Sequence, residues 1–239
     1  EARRKNAEVD DLLTHMLNLH DERTGATFSP KEIRDELVTL FLAGTDTAAV
    51  ALTWAVYLLD QNPLVEERLQ AELDLGLGKR IPTSDDLTQL PYSRMVVDET
   101  LRLYPSGWMF LRDAVADDVL DNWRIPRGSI MLISPYATQR QPALWPNPDA
   151  FEPERFTAKR TAERHRFAYL PFGGGPRQCI GMHLALTELQ IVLAALVSRY
   201  RLRLAPDHPI ATAPLITLRP RYGMKMTVTR RPQTLSVSL

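Results

Sequence analysis

The chain has 239 residues, which is enough for one large domain or two small ones. Its 29 basic residues balance its 29 acidic residues, so bulk charge predicts neither a nucleic-acid partner nor binding to a charged membrane surface. One cysteine excludes a disulfide scaffold, and a hydrophobic content of 44% with 24% charged residues is typical of a soluble globular protein. The sequence shows no repeat, low-complexity tract or signal peptide, and a single cysteine fits a reducing compartment. We therefore expect a soluble, cytoplasmic protein, and the alternative is an anchor in an N-terminal part outside this sequence.

The first part of the chain predicts two helices. Residues 1–19 read as a charged helix, and a loop follows it. A long helix is then predicted over about residues 30–60, because Ser29 can cap it, Pro30 suits the first helical position and Glu32 lies three residues after the cap. An Asn-Pro pair predicts its end.

The long helix is almost wholly apolar between Leu37 and Leu59, a length that would also span a bilayer. Asp46 lies near its middle and would cost about 3 kcal/mol in lipid. The capping box at its start also fits a soluble helix better. We therefore predict a buried central helix, and the alternative is a membrane span.

The segment Ala43-Gly44-Thr45-Asp46-Thr47 lies within this helix. A glycine inside a helix costs about 1 kcal/mol relative to alanine, so Gly44 is predicted to make room for another group. The alternative is a polar notch in which a threonine hydroxyl bonds back to a main-chain carbonyl.

Further helices are predicted over about residues 63–75, 83–90 and 92–103, with a turn at 76–82. Thr83 or Ser84 would cap the short second one. Glu99 and Arg102 in the third lie three residues apart on one face, so they can form an ion pair. Most such pairs lie on the surface and contribute under about 1 kcal/mol.

Beyond residue 103 the sequence predicts small β elements. The chain should turn at Pro105 and continue as a strand toward Arg112, and residues 115–134 are interpreted as a hairpin around the turn at 125–128. Residues 135–166 are rich in proline and predict an irregular segment. A last helix over about 183–200 should precede strands near 216–218 and 224–229. The predicted fold class is therefore mainly α with small β-sheets (α+β).

The single cysteine lies in the loop at residues 172–181, Phe-Gly-Gly-Gly-Pro-Arg-Gln-Cys-Ile-Gly. Glycines before Cys179 let the backbone pass close to a flat, bulky group, and the helix start after it stabilises a thiolate. Arg177 adds a donor suited to a carboxylate. A thiolate held in this way suits an axial ligand to haem iron. The alternatives are an inert, packed cysteine and a phosphate-binding loop, whose Gly-Lys-Ser/Thr ending is absent here.

This loop resembles the haem-binding loop of the cytochrome P-450 superfamily, whose pattern is Phe-Gly-x-Gly-x-x-x-Cys-x-Gly. The fixed positions are met by Phe172, Gly173, Gly175, Cys179 and Gly181. The resemblance covers nearly the whole chain but only the C-terminal part of the family. It implies that residues 1–239 form the C-terminal part of a single cytochrome P-450-like domain whose N-terminal helices are missing.

The resemblance implies a site built around haem b, with Cys179 as the axial ligand of the iron. Further haem contacts would come from Arg177, Arg112, Phe172, Gly173, Gly175, Gly181, Ala43 and Gly44. Asp46 and Thr47 would relay protons during oxygen activation. A buried ionic network that places the cysteine loop would consist of Glu99, Arg102 and Arg155, the last in a Pro-Glu-Arg-Phe segment. Candidates for the substrate pocket are Ser106, Trp108, Met109, Phe110, Leu215 and Ile216.

The function implied is a monooxygenase that hydroxylates or epoxidises a hydrophobic small molecule with O2. Electrons from NAD(P)H would arrive through a ferredoxin- or flavodoxin-type protein, docked electrostatically on a basic segment that contains Lys159, Arg160, Arg164 and Arg166. The alternatives are a haem-binding chain without turnover and a membrane segment with a soluble tail. In one place the chain departs from the family pattern: Gln139 stands where a histidine is usual, which weakens whatever that histidine supports.

Overall fold

The structure, a computed structural model, describes residues 10–78 and 80–231. It falls into two compact units that divide between Asp46 and Thr47, within one continuous helix. The helices are α1 (Leu12–Asn18), α2 (Pro30–Gln61), α3 (Pro63–Leu77), α4 (Pro91–Leu103), α5 (Pro135–Thr138), α6 (Ala158–Glu163) and α7 (Met182–Val197). Short 3-10 turns occupy Ser84–Gln89, Pro153–Phe156 and Gly175–Arg177.

In the first unit, polar side chains fix the start of each helix. Asp11 caps α1 by accepting a hydrogen bond from the Thr14 amide at 2.8 Å, so this helix begins later than residue 1. Residues 1–9 of the predicted helix lie outside the described part of the chain. Ser29 and Glu32 exchange side-chain-to-amide bonds of 2.8 and 3.2 Å, which confirms the predicted capping box of α2.

The first half of α2 is exposed, and Phe41 has 70% of its surface open to solvent. The prediction of a buried central helix is therefore wrong for most of this half, since among residues 10–29 the one helix that could pack against it is the seven-residue α1. Ile33 is the exception at 5% exposed, and continuous packing of the helix begins only at Ala48, in the second unit. Among the described helices α2 alone has the length and composition to cross a membrane, with a mean hydropathy of 1.4 over its most apolar window.

In the second unit, α3, α4, α7 and the second half of α2 pack around one apolar core. Its wholly buried members include Leu69, Leu73, Leu90, Val96 and Leu193. Helix α3 continues past residue 75, through Gly76, which the sequence assigned to a turn. The reason is that Leu77 is buried in this core and extends the apolar face by half a turn.

The 3-10 turn at Ser84–Gln89 begins with a capping box at Thr83, one of the two predicted cap residues. The carboxylate of Asp86 accepts bonds from Arg80 Nη2 at 2.8 Å and from the Thr83 amide at 2.9 Å. The bond from Arg80, followed by those from Thr83, lowers the pKa of Asp86 to about 2.

Four antiparallel two-stranded sheets complete the second unit. They pair β1 (Phe110–Asp113) with β4 (Ile130–Ile133), β2 (Asp118–Leu120) with β3 (Trp123–Ile125), β5 (Tyr200–Leu204) with β8 (Met226–Arg230) and β6 (Thr212–Pro214) with β7 (Leu218–Pro220). The final helix thus ends at Val197, and Tyr200, predicted as its last residue, opens β5 instead. Strand β7 begins two residues later than predicted, so Ile216 lies outside it.

The hairpin predicted around residues 125–128 has its turn in a different place. The tight turn lies between β2 and β3, where Asp121 takes the left-handed conformation with a φ of 50°. The 125–128 segment connects β3 to β4, and the Gly128 amide donates to the Ala114 carbonyl at 2.7 Å. The reason is non-local: β4 pairs with β1, which precedes the hairpin.

Candidate functional site

The cysteine loop is closed by main-chain hydrogen bonds. The Cys179 amide donates to the Phe172 carbonyl at 2.9 Å, and the Gln178 amide donates to the Gly175 carbonyl at 3.0 Å. Gly173 and Gly175 have φ angles of +69° and +74°, a region that favours glycine because a Cβ is disfavoured there. These two glycines of the motif therefore supply the backbone path that returns Cys179 to Phe172.

Two aromatic rings pack against the glycines of this loop. A Cβ added at Gly174 would lie 3.0 Å from Cε1 of Phe167, closer than ordinary packing allows. A Cβ at Gly173 would lie 3.8 Å from Cε1 of Phe110, in ordinary contact. Phe110 is a pocket candidate and the first residue of β1, so the start of this strand lies directly beside the cysteine loop.

The Cys179 side chain is exposed, within an apolar surface. Ile180 is 90% exposed, and Leu184 in the first turn of α7 is 71% exposed. Cysteine, isoleucine and leucine are among the most buried residue types in folded proteins. Exposure of all three side by side indicates a surface that an apolar group covers. This disfavours the alternative of an inert, packed cysteine.

Two arginines of the second unit are available to bind carboxylates. Arg112 in β1 lies 4.7 Å from the centre of the Phe110 ring and donates to the Leu111 carbonyl at 2.8 Å. Within residues 10–78 and 80–231, no carboxylate forms an ion pair with Arg112 or Arg177. Because guanidinium groups bind carboxylates with paired hydrogen bonds, both can hold acidic groups of a ligand. An exposed thiol, an apolar surface and two guanidinium groups that have no ion-pair partner among the described residues fit haem, a flat apolar ring with two carboxylates.

The Glu-x-x-Arg pair of α4 is wholly buried, with both side chains 0% exposed. Arg102 donates from Nε to Glu99 Oε2 at 2.7 Å and from Nη2 to Oε1 at 2.8 Å. Arg155 Nε lies 3.4 Å from Glu99 Oε1, so the three residues of the implied network lie together. Burial raises the pKa of Glu99, and the bonds from Arg102 oppose that shift.

Arg102 also joins α4 to the irregular segment that follows β4. Its Nη1 donates to the carbonyls of Gln139 and Pro148 at 2.8 and 2.7 Å, and its Nη2 donates to the Ala150 carbonyl at 3.0 Å. One guanidinium group thus binds Glu99 and three main-chain carbonyls. Removing it would take a hydrogen-bond donor from each of these polar groups, while Glu99 would keep Arg155 and the Glu152 amide as partners.

Gln139 extends this network to the start of the cysteine loop. It is 0% exposed, and its Nε2 donates to the carbonyls of Leu101 and Arg102 at 3.0 and 2.9 Å. Its Oε1 accepts from the Leu170 amide at 2.8 Å, two residues before Phe172. The glutamine that departs from the family pattern therefore supplies both donors and an acceptor between α4 and this loop.

The proposed proton-relay residues are successive positions of α2. Asp46 ends the first unit and is exposed, and Thr47 begins the second. A Cβ added at Gly44 meets no described atom within 4 Å. If Gly44 makes room for another group, as the sequence predicts, that group is therefore not among the described residues.

The pocket candidates lie on two segments of the second unit that contact each other. The Trp108 indole donates to the Leu215 carbonyl at 2.8 Å. Met109 and Leu215 are exposed, and Ile216 is 97% exposed, so these side chains are open to a ligand. Ser106 differs from them, because it is buried and its hydroxyl donates to the Thr47 carbonyl.

In the basic segment, two of the four predicted docking charges form polar bonds within the protein, and Arg166 lies over the Phe167 ring, 4.6 Å from its centre. Arg160 forms a salt bridge with Glu152. Arg164 lies over the Trp145 ring, 4.3 Å from its centre, and donates to the Arg155 carbonyl. Burial lowers the pKa of Arg164. Lys159 and Arg166 are exposed.

Comparisons with known proteins show the family to which this chain belongs. The family model described as Cytochrome P450 matches residues 1–227, and the chain belongs to this family. It is 44% identical over 87% of its length to cyclooctatin synthase, and 42% identical over 86% to cyclooctat-9-en-7-ol 5-monooxygenase, both of Streptomyces melanosporofaciens. Its structure is similar to that of the cytochrome P450DA heme domain, with a TM-score of 0.90 and 32% identity over 97% of this chain.

The chain spans about half the length of these relatives, 45% of each of the two enzymes and 51% of the solved structure. The family resemblance and the mainly α fold with small sheets are confirmed. What the sequence did not reveal are the roles of Gln139 and Ser106. Both act on main-chain groups far along the chain, and no local pattern marks such contacts.

Proposed function

We propose that this chain carries the thiolate side of a haem-dependent monooxygenase that inserts one oxygen atom of O2 into a hydrophobic small molecule. The observation that carries the proposal is the exposed thiol of Cys179, held by a glycine-shaped loop inside an apolar surface. Haem b, when bound through a thiolate, supplies oxygen activation in which the sulfur favours O–O cleavage.

The proposal assigns a task to Cys179 and Arg177 of the cysteine loop and to the residues that support this loop. Cys179 binds as the thiolate, and the start of α7, three residues later, places unpaired N–H groups near the negative charge. Arg112 and Arg177 bind the carboxylates of the haem. Phe110 packs on the loop from β1. The buried ionic network of Glu99, Arg102 and Arg155 has a structural task. It holds the segment that precedes the cysteine loop in position.

Asp46 and Thr47 are proposed to hold and move protons during oxygen activation. A carboxylate and a hydroxyl in succession on one helix provide an acceptor and a donor that can exchange protons with solvent. Replacing Thr47 by alanine should lower the fraction of NAD(P)H electrons recovered as oxygenated product and raise hydrogen peroxide. An unchanged fraction would remove Thr47 from this role.

The substrate is proposed to be a hydrophobic small molecule, bound by Trp108, Met109, Phe110, Leu215 and Ile216. The exposed apolar side chains of Met109, Leu215 and Ile216 support this, since such surface favours apolar ligands over charged ones. The name of one relative supports it too, because cyclooctat-9-en-7-ol is an unsaturated alcohol.

The electron donor is proposed to be an acidic ferredoxin- or flavodoxin-type protein that docks near Lys159 and Arg166. Their exposed charges can steer such a partner, and the effect should weaken with salt. Lys159→Glu with Arg166→Glu should slow reduction and flatten its dependence on ionic strength. Arg164→Glu would be a poor test, because Arg164 packs on Trp145. Unchanged reduction rates in the double variant would contradict this docking site.

The first experiment is the carbon monoxide difference spectrum of the haem-reconstituted, reduced chain. A Soret band shifted strongly to the red, and lost in Cys179→Ser, would establish thiolate ligation. Arg112→Ala with Arg177→Ala should lower haem retention while leaving the band position unchanged. Haem uptake with a thiolate band but without substrate-dependent electron consumption would support the alternative of a haem-binding chain without turnover. Absence of any haem band would contradict the proposal.

A further inference from the structure

The buried hydroxyl of Ser106 is bonded to α2. Ser106 follows α4 by three residues and is 7% exposed. Its Oγ donates to the Thr47 carbonyl at 2.7 Å, across 59 positions of sequence. A carbonyl oxygen has two lone pairs, and in a helix one of them accepts from the amide four residues on. The hydroxyl of Ser106 can use the second one, so the contact adds to the helical bond of α2 without replacing it.

Ser106 is itself fixed by a chain of hydrogen bonds that returns to the same helix. The Leu218 amide donates to the Ser106 carbonyl at 3.0 Å, and the Trp54 indole donates to the Leu218 carbonyl at 2.7 Å. Trp54 lies seven residues after Thr47, which is two turns or about 10 Å along one face of α2. The contacts from Thr47 through Ser106 and Leu218 to Trp54 therefore form a closed ring on this helix.

An aromatic stack stabilises this closed set of hydrogen bonds. Trp54 is 0% exposed, and its ring lies 3.9 Å from that of Tyr104 with an interplanar angle of 7°. Tyr104 precedes Ser106 by two residues, so both its ring and the serine hydroxyl hold this segment against α2. Buried, stacked side chains have few alternative rotamers, which makes the position of Ser106 well defined.

We infer that Ser106 is a positioning residue for Thr47. The inference rests on the proposed function, in which the Thr47 hydroxyl delivers protons. The bond to the Thr47 carbonyl fixes where this residue lies along α2 and how it is rotated about the helix axis. Both are fixed relative to the segment that leads into Trp108 and Phe110. A displacement of about 1 Å in a reacting group can cost on the order of a hundredfold in rate, so such a bond bears directly on proton delivery. Ser106 acts through Thr47 and touches no reacting atom in this scheme.

The test compares Ser106→Ala with Ser134→Ala in the full chain loaded with haem. Ser134 is a matched control. Its hydroxyl donates to the Trp108 carbonyl at 2.9 Å, in the segment that also contains Ser106, but forms no hydrogen bond with α2 among the described residues. Ser106→Ala should lower the fraction of electrons recovered as product about fivefold, equivalent to about 1 kcal/mol for one hydrogen bond, and Ser134→Ala should not. Both should keep the red-shifted carbon monoxide band. Ser106→Thr, which retains a hydroxyl, should restore the fraction.

Two further measurements separate positioning from a general loss of structure. In the Thr47→Ala background, adding Ser106→Ala should cause no further fall, because the hydroxyl it positions is already gone. Hydrogen exchange of the α2 amides at residues 48–51 should be faster in Ser106→Ala than in Ser134→Ala, with or without haem.

Each contrary result has its own meaning. An unchanged product fraction in Ser106→Ala, or a full additional fall in the double variant, overturns the inference and leaves the proposed function intact. If Ser106→Ala lacks the band and Ser106→Thr restores neither band nor product, the inference is also overturned. Absence of the band in the unmodified chain overturns the proposed function, and the inference with it.

Discussion

Replacing Gln139 by methionine should destabilise the second unit strongly, even though the two side chains are similar in size. The change removes the hydrogen bonds to the Leu101 and Arg102 carbonyls and from the Leu170 amide, all inside the protein. Each bond contributes about 1 kcal/mol, and a buried group left unpaired costs about 1–3 kcal/mol. We expect a loss of about 3–5 kcal/mol in the free energy of unfolding, a large part of the typical total of about 5–15 kcal/mol.

The assay is hydrogen exchange of the Leu170 amide together with urea unfolding. Exchange should accelerate at least about a hundredfold, since each 1.4 kcal/mol is about a factor of ten. Gln141→Met is the matched control, because Gln141 is exposed. Gln139→His keeps one donor and one acceptor, so its loss should be smaller than that of methionine. If Gln139→Met unfolds no more easily than Gln141→Met, or the Leu170 amide exchanges as before, the bridging role of Gln139 is refuted.

Two other perturbations test charge pairs of the second unit. Arg102→Met should cost about 3–5 kcal/mol in urea unfolding, because it removes both charged hydrogen bonds from the buried Glu99 carboxylate and the donor to three main-chain carbonyls. Arg124→Met, which breaks an exposed pair with Asp117, should cost under about 1 kcal/mol. Equal losses would contradict the buried network. Asp86 has a folded pKa of about 2, below its ordinary value of 3.8, so its stabilising effect is complete above pH 3.8 and is lost as pH falls to about 2. Asp86→Asn should therefore lose less stability than the unmodified chain between these pH values. If its stability falls as steeply as that of the unmodified chain, other carboxylates cause the fall.

Most of the candidate site could be predicted from the sequence because its parts are local. The loop geometry around Cys179 depends on glycines four and six residues before it, and the pair of Glu99 with Arg102 depends on one helical turn. The capping box of α2 is likewise a contact between residues three positions apart. The roles assigned to these residues in haem binding and catalysis remain predictions until the spectra and variants are measured.

Strand pairing and exposure could not be predicted in the same way. A turn signal at residues 125–128 is compatible with a hairpin, and only the pairing of β4 with the earlier β1 shows that the segment is a connection. The apolar face of α2 is compatible with burial, yet its first half is exposed, because a pattern of apolar residues does not state what packs against it.

The sequence by itself determined the family, the position of the thiol, the start of α2 and the pairing of charges within a turn, since these follow from residue types at short, fixed spacing. Only the tertiary structure decided that Gln139 links α4 to the cysteine loop and that Ser106 holds Thr47. Those bonds join main-chain groups to side chains 31 to 59 positions away. Every residue offers the same main-chain carbonyl and amide, so the sequence carries no mark of which one a distant side chain will reach.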